Sequence, residues 1–300
     1  MAQKITPNLW FDGNAKEAAE FYVSAFPDSK ITSTANYPNS VEEGLADFQL
    51  DLAGKVLTVE FELSGMPFTA INADSTFKFN PSVSFIVNFD PSQDDQASEH
   101  LDALWAKFID GGEALMPLNA YPFSERYGWV KDRYGLTWQL MLTKPEGEPR
   151  PFIVPALMFT GQNTGHAEEA INYYVSVFKN TKVGTLARYG NDTGPAKADS
   201  LMYADFMLEN QWFAAMDSGV EHDFTFNEAV SFAVICKDQA EIDYFWEKLS
   251  AVPESEQCGW CKDKYGLSWQ IIPENMADLM KKPDAFTKLM QMHKLVIDEF

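Results

Sequence analysis

Two carboxylates, a pair of cysteines and two tryptophan–lysine pairs are the residues of this chain whose types and spacing could support chemistry. Glu60 and Asp205 occupy matching positions of an internal repeat. A carboxylate buried on a strand can act as a base with a raised pKa. No partner group for either stands out in the sequence, so a solvated or hydrogen-bonded strand residue is the plainer reading. Cys258-Gly259-Trp260-Cys261 has the spacing of a redox or zinc motif. The matching stretch of the repeat, Tyr127-Gly128-Trp129-Val130, has no cysteine. Positions i and i+3 of a strand also point to opposite faces, and no second CxxC completes a zinc site, so a structural reading is preferred. Trp129 with Lys131, and Trp260 with Lys262, each share one face of a strand. The indoles could stack on a planar ligand and the lysines could anchor an anion. The competing reading is a strand-to-turn ion pair in Lys-Asp-x-Tyr-Gly, with Gly135 and Gly266 supplying positive φ to a β-turn.

The elements that must position these residues follow from the repeat. Residues 128–139 read GWVKDRYGLTWQ and residues 259–270 read GWCKDKYGLSWQ, identical at nine of twelve positions. Phe79-Asn80 matches Phe226-Asn227, and the stretch around Leu9 and Phe11 matches that around Leu157 and Phe159. The chain therefore divides into a first domain (1–143), a Pro/Gly/charged linker (144–152), a second domain (153–273) and a tail with helical spacing (274–300). The tail is expected to pack on the second half or on a partner subunit. Within a half, short apolar strands alternate with amphipathic helices such as Ala15–Phe26 and Glu99–Ile109, twice over. The expected fold class is α+β, with four β-α-β-β-β units.

Composition narrows the partners. The net charge of −21 is spread along the chain, which disfavours nucleic acid and anionic membrane surfaces. No apolar run is long enough to span a bilayer, and the first residues have no signal-peptide pattern. Three cysteines suggest a reducing, cytoplasmic setting rather than a disulfide framework. No P-loop, G-x-S-x-G elbow or H-E-x-x-H occurs.

The opening that ends in Glu20-Phe21-Tyr22, the Phe79-Asn80 turn and the GW-KD-YGL-WQ close resemble PhnB-like proteins of the vicinal oxygen chelate superfamily. That superfamily includes the glyoxalase and bleomycin-resistance proteins, and this branch carries the label 3-demethylubiquinone-9 3-methyltransferase. The resemblance implies tandem duplicated domains, each half made of two βαβββ units forming a cupped mixed sheet. In the enzymes of the superfamily a divalent metal sits in the cup. By similarity its last-strand ligand falls at Gln139 and Gln270, and its first-strand ligand near Thr6 and Val154. An amide is a poor substitute for a carboxylate and valine is no ligand, so no metal and no other cofactor is expected. The histidines, His100, His166, His222 and His293, fall away from these strands.

Taking Gln139 as cup-facing by resemblance, alternation places Thr137 and Met141 on its face, and Asn8, Trp10, Ala156, Met158, Ser268, Gln270 and Ile272 on the corresponding faces. Asn72 and Asp217, Glu60 and Asp205, and Trp129 and Trp260 are assigned to the same side. The expected ligand-binding set is Asn8, Trp10, Asn72, Trp129, Gln139, Met158, Asp217, Trp260 and Gln270, with Glu60 and Asp205 as candidate catalytic groups. The leading expectation is a small, partly aromatic molecule held without metal in one or both cups. A metal-dependent lyase, isomerase or dioxygenase using Glu60 or Asp205 is the alternative. A quinone methyltransferase is disfavoured, because no Gly-rich turn for a methyl donor follows the first strand. A module with dead pockets is a further alternative. A homodimer and intramolecular pairing of units both stay open.

Overall fold

The computed structural model of the chain describes residues 3–144 and 148–300, so Pro145, Glu146 and Gly147 of the expected linker lie outside the described residues. The first module comprises β1 (Ile5–Phe11), α1 (Ala15–Ala25), β2 (Lys30–Asn36), β3 (Val56–Leu63) and β4 (Met66–Asn72). The second comprises β5 (Val83–Phe89), α2 (Ala97–Ile109), β6 (Glu113–Tyr121), β7 (Ser124–Lys131) and β8 (Thr137–Leu142). The third comprises β9 (Ile153–Phe159), α3 (Ala167–Val177), β10 (Lys182–Arg188), β11 (Leu201–Leu208) and β12 (Gln211–Asp217). The fourth comprises β13 (Val230–Cys236), α4 (Gln239–Leu249), β14 (Trp260–Lys262) and β15 (Ser268–Pro273), and the tail carries α5 (Met276–Leu279) and α6 (Ala285–Gln291).

Strand β6 has no clear apolar alternation. It contains Pro117, its pairing with β7 breaks register three times, and most of its residues are exposed or half-buried. The fourth module has a 3-10 turn at Pro253–Ser255 where the second has β6. Beside that turn the tail takes over part of the pairing: Cys258 N–H donates to Met292 O at 2.8 Å and Gly259 N–H to His293 O at 2.7 Å. Leu279, Ala285, Met292, Leu295 and Phe300 bury together there. The tail thus packs against the fourth module. No helix among the described residues is long and apolar enough to cross a membrane.

The strands form two sheets, and each sheet combines modules from different halves. One has seven strands in the order β14-β15-β13-β1-β4-β3-β2, from modules one and four. The other has eight, β10-β11-β12-β9-β5-β8-β7-β6, from modules two and three. The compact units follow the sheets. The first unit is the chain up to Val23 with Ser29–Phe77 and Asn227–Phe300, and the second is Ser24–Asp28 with Lys78–Phe226. The repeat halves are therefore sequence units, and each sheet is completed within one chain.

One face of each sheet packs under helices, as alternation requires. In β1, Ile5, Leu9 and Phe11 are buried on the helix side while Thr6 and Trp10 are only half-buried on the other. Tyr22 of α1 packs 6.3 Å from Phe61, and Trp138 stacks 5.0 Å from Phe108. The repeated Lys-Asp-x-Tyr-Gly-Leu-x-Trp motif serves this core. Asp132 Oδ1 accepts the N–H groups of Tyr134 and Leu136 at 2.8 and 3.1 Å, and its Oδ2 accepts the Trp138 indole at 2.9 Å. Asp263 does the same for Tyr265, Leu267 and Trp269 at 2.9, 3.1 and 2.9 Å. Gly135 and Gly266 have φ of 93° and 87°, as the turn reading expects. The lysines find carboxylates elsewhere: Lys131 pairs with Glu113 at 2.6 Å and Lys262 with Glu228 at 2.8 Å. The Asp of the motif is thus a turn and indole acceptor.

Candidate functional site

The face of each sheet turned away from the helices is the candidate site, and the two units use it differently. In the first unit a single row of paired residues crosses all seven strands: Lys262, Ser268, Ser231, Asn8, Thr69, Glu60 and Ser33. Every member is polar. One register step along, Trp260 pairs with Gln270. The Trp10 and Trp260 rings meet edge to face at 5.8 Å, with Phe77 5.1 Å from Trp10. Trp10 is fixed by its indole N–H, which donates to Asp74 O at 2.7 Å.

The hydrogen bonds of this row are incomplete. Gln270 Nε2 donates to Ser231 Oγ at 2.9 Å, and Ser33 Oγ donates to Glu60 Oε2 at 2.7 Å. Among the described residues Ser268 Oγ has no hydrogen-bond partner, and the residue is only 1% exposed. A buried hydroxyl left unpaired is costly. Glu60 is exposed, while Thr6, Trp10, Thr69 and Trp260 are half-buried.

In the second unit the corresponding row runs through Asp205, Ala214, Ala156 and Ser84, with alanines where the first unit has Thr69 and Asn8. Its surroundings are packed. Ile86, Val154, Ala156, Trp212 and Ala214 form a buried cluster closed by Met141, Tyr203 and Met207. Arg150 lies over the Trp212 ring at 3.8 Å and its Nε donates to Asp205 Oδ2 at 3.0 Å. Thr185 N–H holds Asp205 Oδ1 at 2.7 Å. Tyr127 donates to Gln139 Oε1 at 2.7 Å, and Gln139 Nε2 donates to Ser84 Oγ at 2.8 Å. Burial pushes the Tyr127 and Tyr203 hydroxyls well above the ordinary tyrosine range, the Tyr203 shift being reinforced by the Asp205 charge. Met158 is buried on this face, and Trp129 is half-buried with an indole N–H that has no partner among the described residues.

The structure thus puts Asn8, Trp10, Glu60, Trp260 and Gln270 on one sheet face of the first unit, with Trp10 and Trp260 in contact and Glu60 apart on β3, and Met158, Asp205, Gln139 and Trp129 on one face of the second. Asn72 and Asp217 belong on neither cup face. Asn72 pairs with Phe11, a helix-side residue. Its Oδ1 accepts the Ala15 N–H that opens α1 at 2.8 Å, and its Nδ2 donates to Val56 O at 2.9 Å. Asp217 accepts N–H bonds from Gly165 and Ala167 ahead of and within α3, at 2.7 and 3.1 Å, and from Leu201 at 2.9 Å. Both are polar because they satisfy the first backbone groups of a helix from the core side. Arg150, Tyr127, Tyr203 and Trp212 escaped the sequence reading. Tyr127 could have been found, since it lies two residues from Trp129 on the same strand face.

The residues at the expected metal positions do not fit a divalent ion. Gln139 spends both ends of its amide on neutral hydrogen bonds, Gln270 turns its NH2 to Ser231, and Val154 is hydrocarbon. His100 pairs with Asp94 at 2.6 Å and His166 with Glu169 at 3.1 Å, each beside a helix start. His222 sits 2.9 Å from Ser218 in a loop, and His293 lies in the tail. Among the described residues no three His, Cys, Asp or Glu side chains gather as a metal site. Cys258 precedes β14 with φ of 53°, Cys261 is buried within it, and all three cysteines are free.

Comparison with known proteins agrees with this architecture. The sequence profile of the 3-demethylubiquinone-9 3-methyltransferase family matches residues 3–141 and again residues 151–272. The PhnB protein from Bacillus cereus is 36% identical, the match covering 47% of this chain and 100% of that one with a TM-score of 0.40. Glyoxalase I from Zea mays is 11% identical over 96% of this chain and 98% of its own, with a TM-score of 0.53, a likeness of fold alone. No curated protein matches the chain in sequence. With both repeats matched by one family, the chain belongs to the PhnB-like, 3-demethylubiquinone-9 3-methyltransferase family.

Proposed function

We propose that this protein binds a small, partly aromatic molecule in the cup of its first unit, without a metal, and that the cup of the second unit is a filled, structural copy. One observation carries the reading. The first unit presents an all-polar row beside the Trp10 and Trp260 ring pair, whereas in the second unit the corresponding row carries two alanines and its Asp205 is bonded to Arg150, which packs on Trp212. Small-molecule binding sites combine apolar walls with a few placed polar groups. Trp10 and Trp260 supply the walls, and Asn8, Ser231, Ser268 and Gln270 the polar floor.

The test is a ligand screen read by tryptophan fluorescence and equilibrium dialysis, on protein analysed for divalent metal before and after chelation. Binding that survives chelation and is lost in Trp10→Ala, but kept in Met158→Ala, supports the proposal. Binding abolished by chelation would favour the metal-dependent reading. Of the ligand set that reading considers, Asp205 is paired with Arg150 and Gln139 with Tyr127, leaving Glu60 and Gln270.

A further inference from the structure

We infer that the ligand of the first unit's cup carries, on its aromatic body, an uncharged polar head that both donates and accepts hydrogen bonds: an amide, lactam or urea. This rests on the reading that the cup binds a ligand, and adds the chemistry of the group that meets the polar floor. That floor is local. Ser268, Ser231 and Asn8 sit side by side on the adjacent strands β15, β13 and β1, and Gln270 is two residues from Ser268 on the same face of β15. Trp260 pairs with Gln270 on one side of this row, Trp10 follows Asn8 on the other, and their rings meet at 5.8 Å.

Much of the bonding capacity of this floor is unspent within the chain. Ser268 Oγ is buried without a partner among the described residues. Ser231 Oγ accepts the Gln270 amide at 2.9 Å, and among the same residues its own proton finds no acceptor. Gln270 Oε1 and Asn8 Oδ1 are unfilled there as well, since Asn8 spends only its Nδ2, on Thr6 O at 3.4 Å. Two hydroxyls that donate or accept, beside two amide oxygens that only accept, call for a ligand with both kinds of group. The second unit shows the same Gln–Ser pair closed by a neutral donor: Gln139 Oε1 accepts the Tyr127 hydroxyl at 2.7 Å. The repeat puts Cys258 where Tyr127 stands, and its thiol contacts Gln257 and Met290 instead.

The floor also offers no free charge. Lys262, next to Ser268 in the row, pairs with Glu228 at 2.8 Å, and both side chains are mostly buried. Glu60 lies farther along on β3, with Thr69 of β4 between it and Asn8. An ionic head group placed on the floor would lose water without gaining a counter-charge. An amide would exchange its water for the open partners of Ser268, Ser231, Gln270 and Asn8.

The experiment titrates benzamide, benzamidine and benzoate, probes of similar size and different charge, into the full-length protein by calorimetry and tryptophan fluorescence. Salt is held at about 0.15 M to screen surface attraction. Benzamide is expected to bind at least about ten-fold more tightly than either ion. The net charge of −21 favours benzamidine over the neutral probe, so this order cannot come from the surface field. Ser268→Ala is expected to weaken benzamide binding about five-fold. Because the hydroxyl has no partner to lose, the same variant should melt no lower than the parent. An ion that binds as tightly as benzamide, benzamide binding untouched by Ser268→Ala, or a lower melting temperature in that variant overturns the inference and leaves the binding reading standing. If none of the three binds and the tryptophan signal never moves, both fall.

Discussion

The indole nitrogen of Trp269 donates to Asp263 Oδ2 at 2.9 Å while the other oxygen of the same carboxylate accepts the Tyr265 and Leu267 N–H groups. Both residues are about 1% exposed, so these bonds have no water to replace them. Trp138 and Asp132 repeat the arrangement in the second unit at the same 2.9 Å. The most recognisable motif of the chain is thus a device for closing each sheet on its helices.

Asp263→Ala removes the acceptor for three buried donors and is expected to destabilise the first unit by about 3–5 kcal/mol. Trp269→Phe keeps an aromatic ring but drops one bond and some volume, for a smaller loss of about 1–3 kcal/mol. Urea unfolding followed by circular dichroism measures both. A cost for Asp263→Ala below that of Trp269→Phe would contradict the arrangement.

Arg150→Ala strips the cation from Asp205, whose side chain is 6% exposed. An unpaired buried carboxylate typically costs about 3–5 kcal/mol. Because the guanidinium also stacks on Trp212, millimolar ethylguanidine should recover part of the lost melting temperature in Arg150→Ala and none in the parent. Equal response of the two proteins would show that the pocket does not hold Arg150 as described.

Burial raises the pKa of Asp217 above the ordinary carboxylate value, against the opposing pull of its three N–H bonds. The folded state then keeps the proton to higher pH than the unfolded state. Stability from this residue is present below the unfolded pKa, about 3.9, and is lost as pH rises through the folded value. The stability of the parent relative to Asp217→Asn should therefore fall as pH rises from about 3 to 6, measured by thermal melts of both proteins. A relative stability that grows over that range would mean that the three N–H bonds outweigh burial.

Desolvation pushes the Cys236 thiol up to about 12, and raises those of Cys261 and Cys258 as well. Thiolate is the reactive form. Cys236 and Cys261 should resist thiol reagents until the protein unfolds, with the half-buried Cys258 reacting first. Mass spectrometry of a timed alkylation gives the order. Fast labelling of Cys261 in the native protein would refute its burial.

Much of this was legible in the sequence. The alternation of β1 put Asn8 and Trp10 on the cup side, and the repeat carried Gln139 onto Gln270 and Glu60 onto Asp205. Asn72 and Asp217 went to the wrong face for a physical reason. A polar residue on a strand is normally assigned away from the core, yet these two face it because a helix start needs an acceptor there. Arg150 was invisible because a charged residue beside prolines reads as solvated linker. The choice of sheet partners was hidden by the repetition itself: four equivalent modules have equivalent first strands, and nothing in β1 alone distinguishes β13 from β5 as its neighbour.

That choice bears on how the chain acquires its structure during synthesis. The strands of modules two and three are complete once residues 78–226 have been made, so the second unit can fold early from nearly contiguous chain. Strand β1 has no antiparallel neighbour until β13 is made, more than two hundred residues later. Through that interval its edge stays open to a wrong partner, β5 or the β1 of another chain, with the slow closure that long-range pairing imposes. The nascent first module is therefore the vulnerable stage in the life of this protein. A chaperone that shields this one edge strand until β13 arrives would protect the chain at that stage.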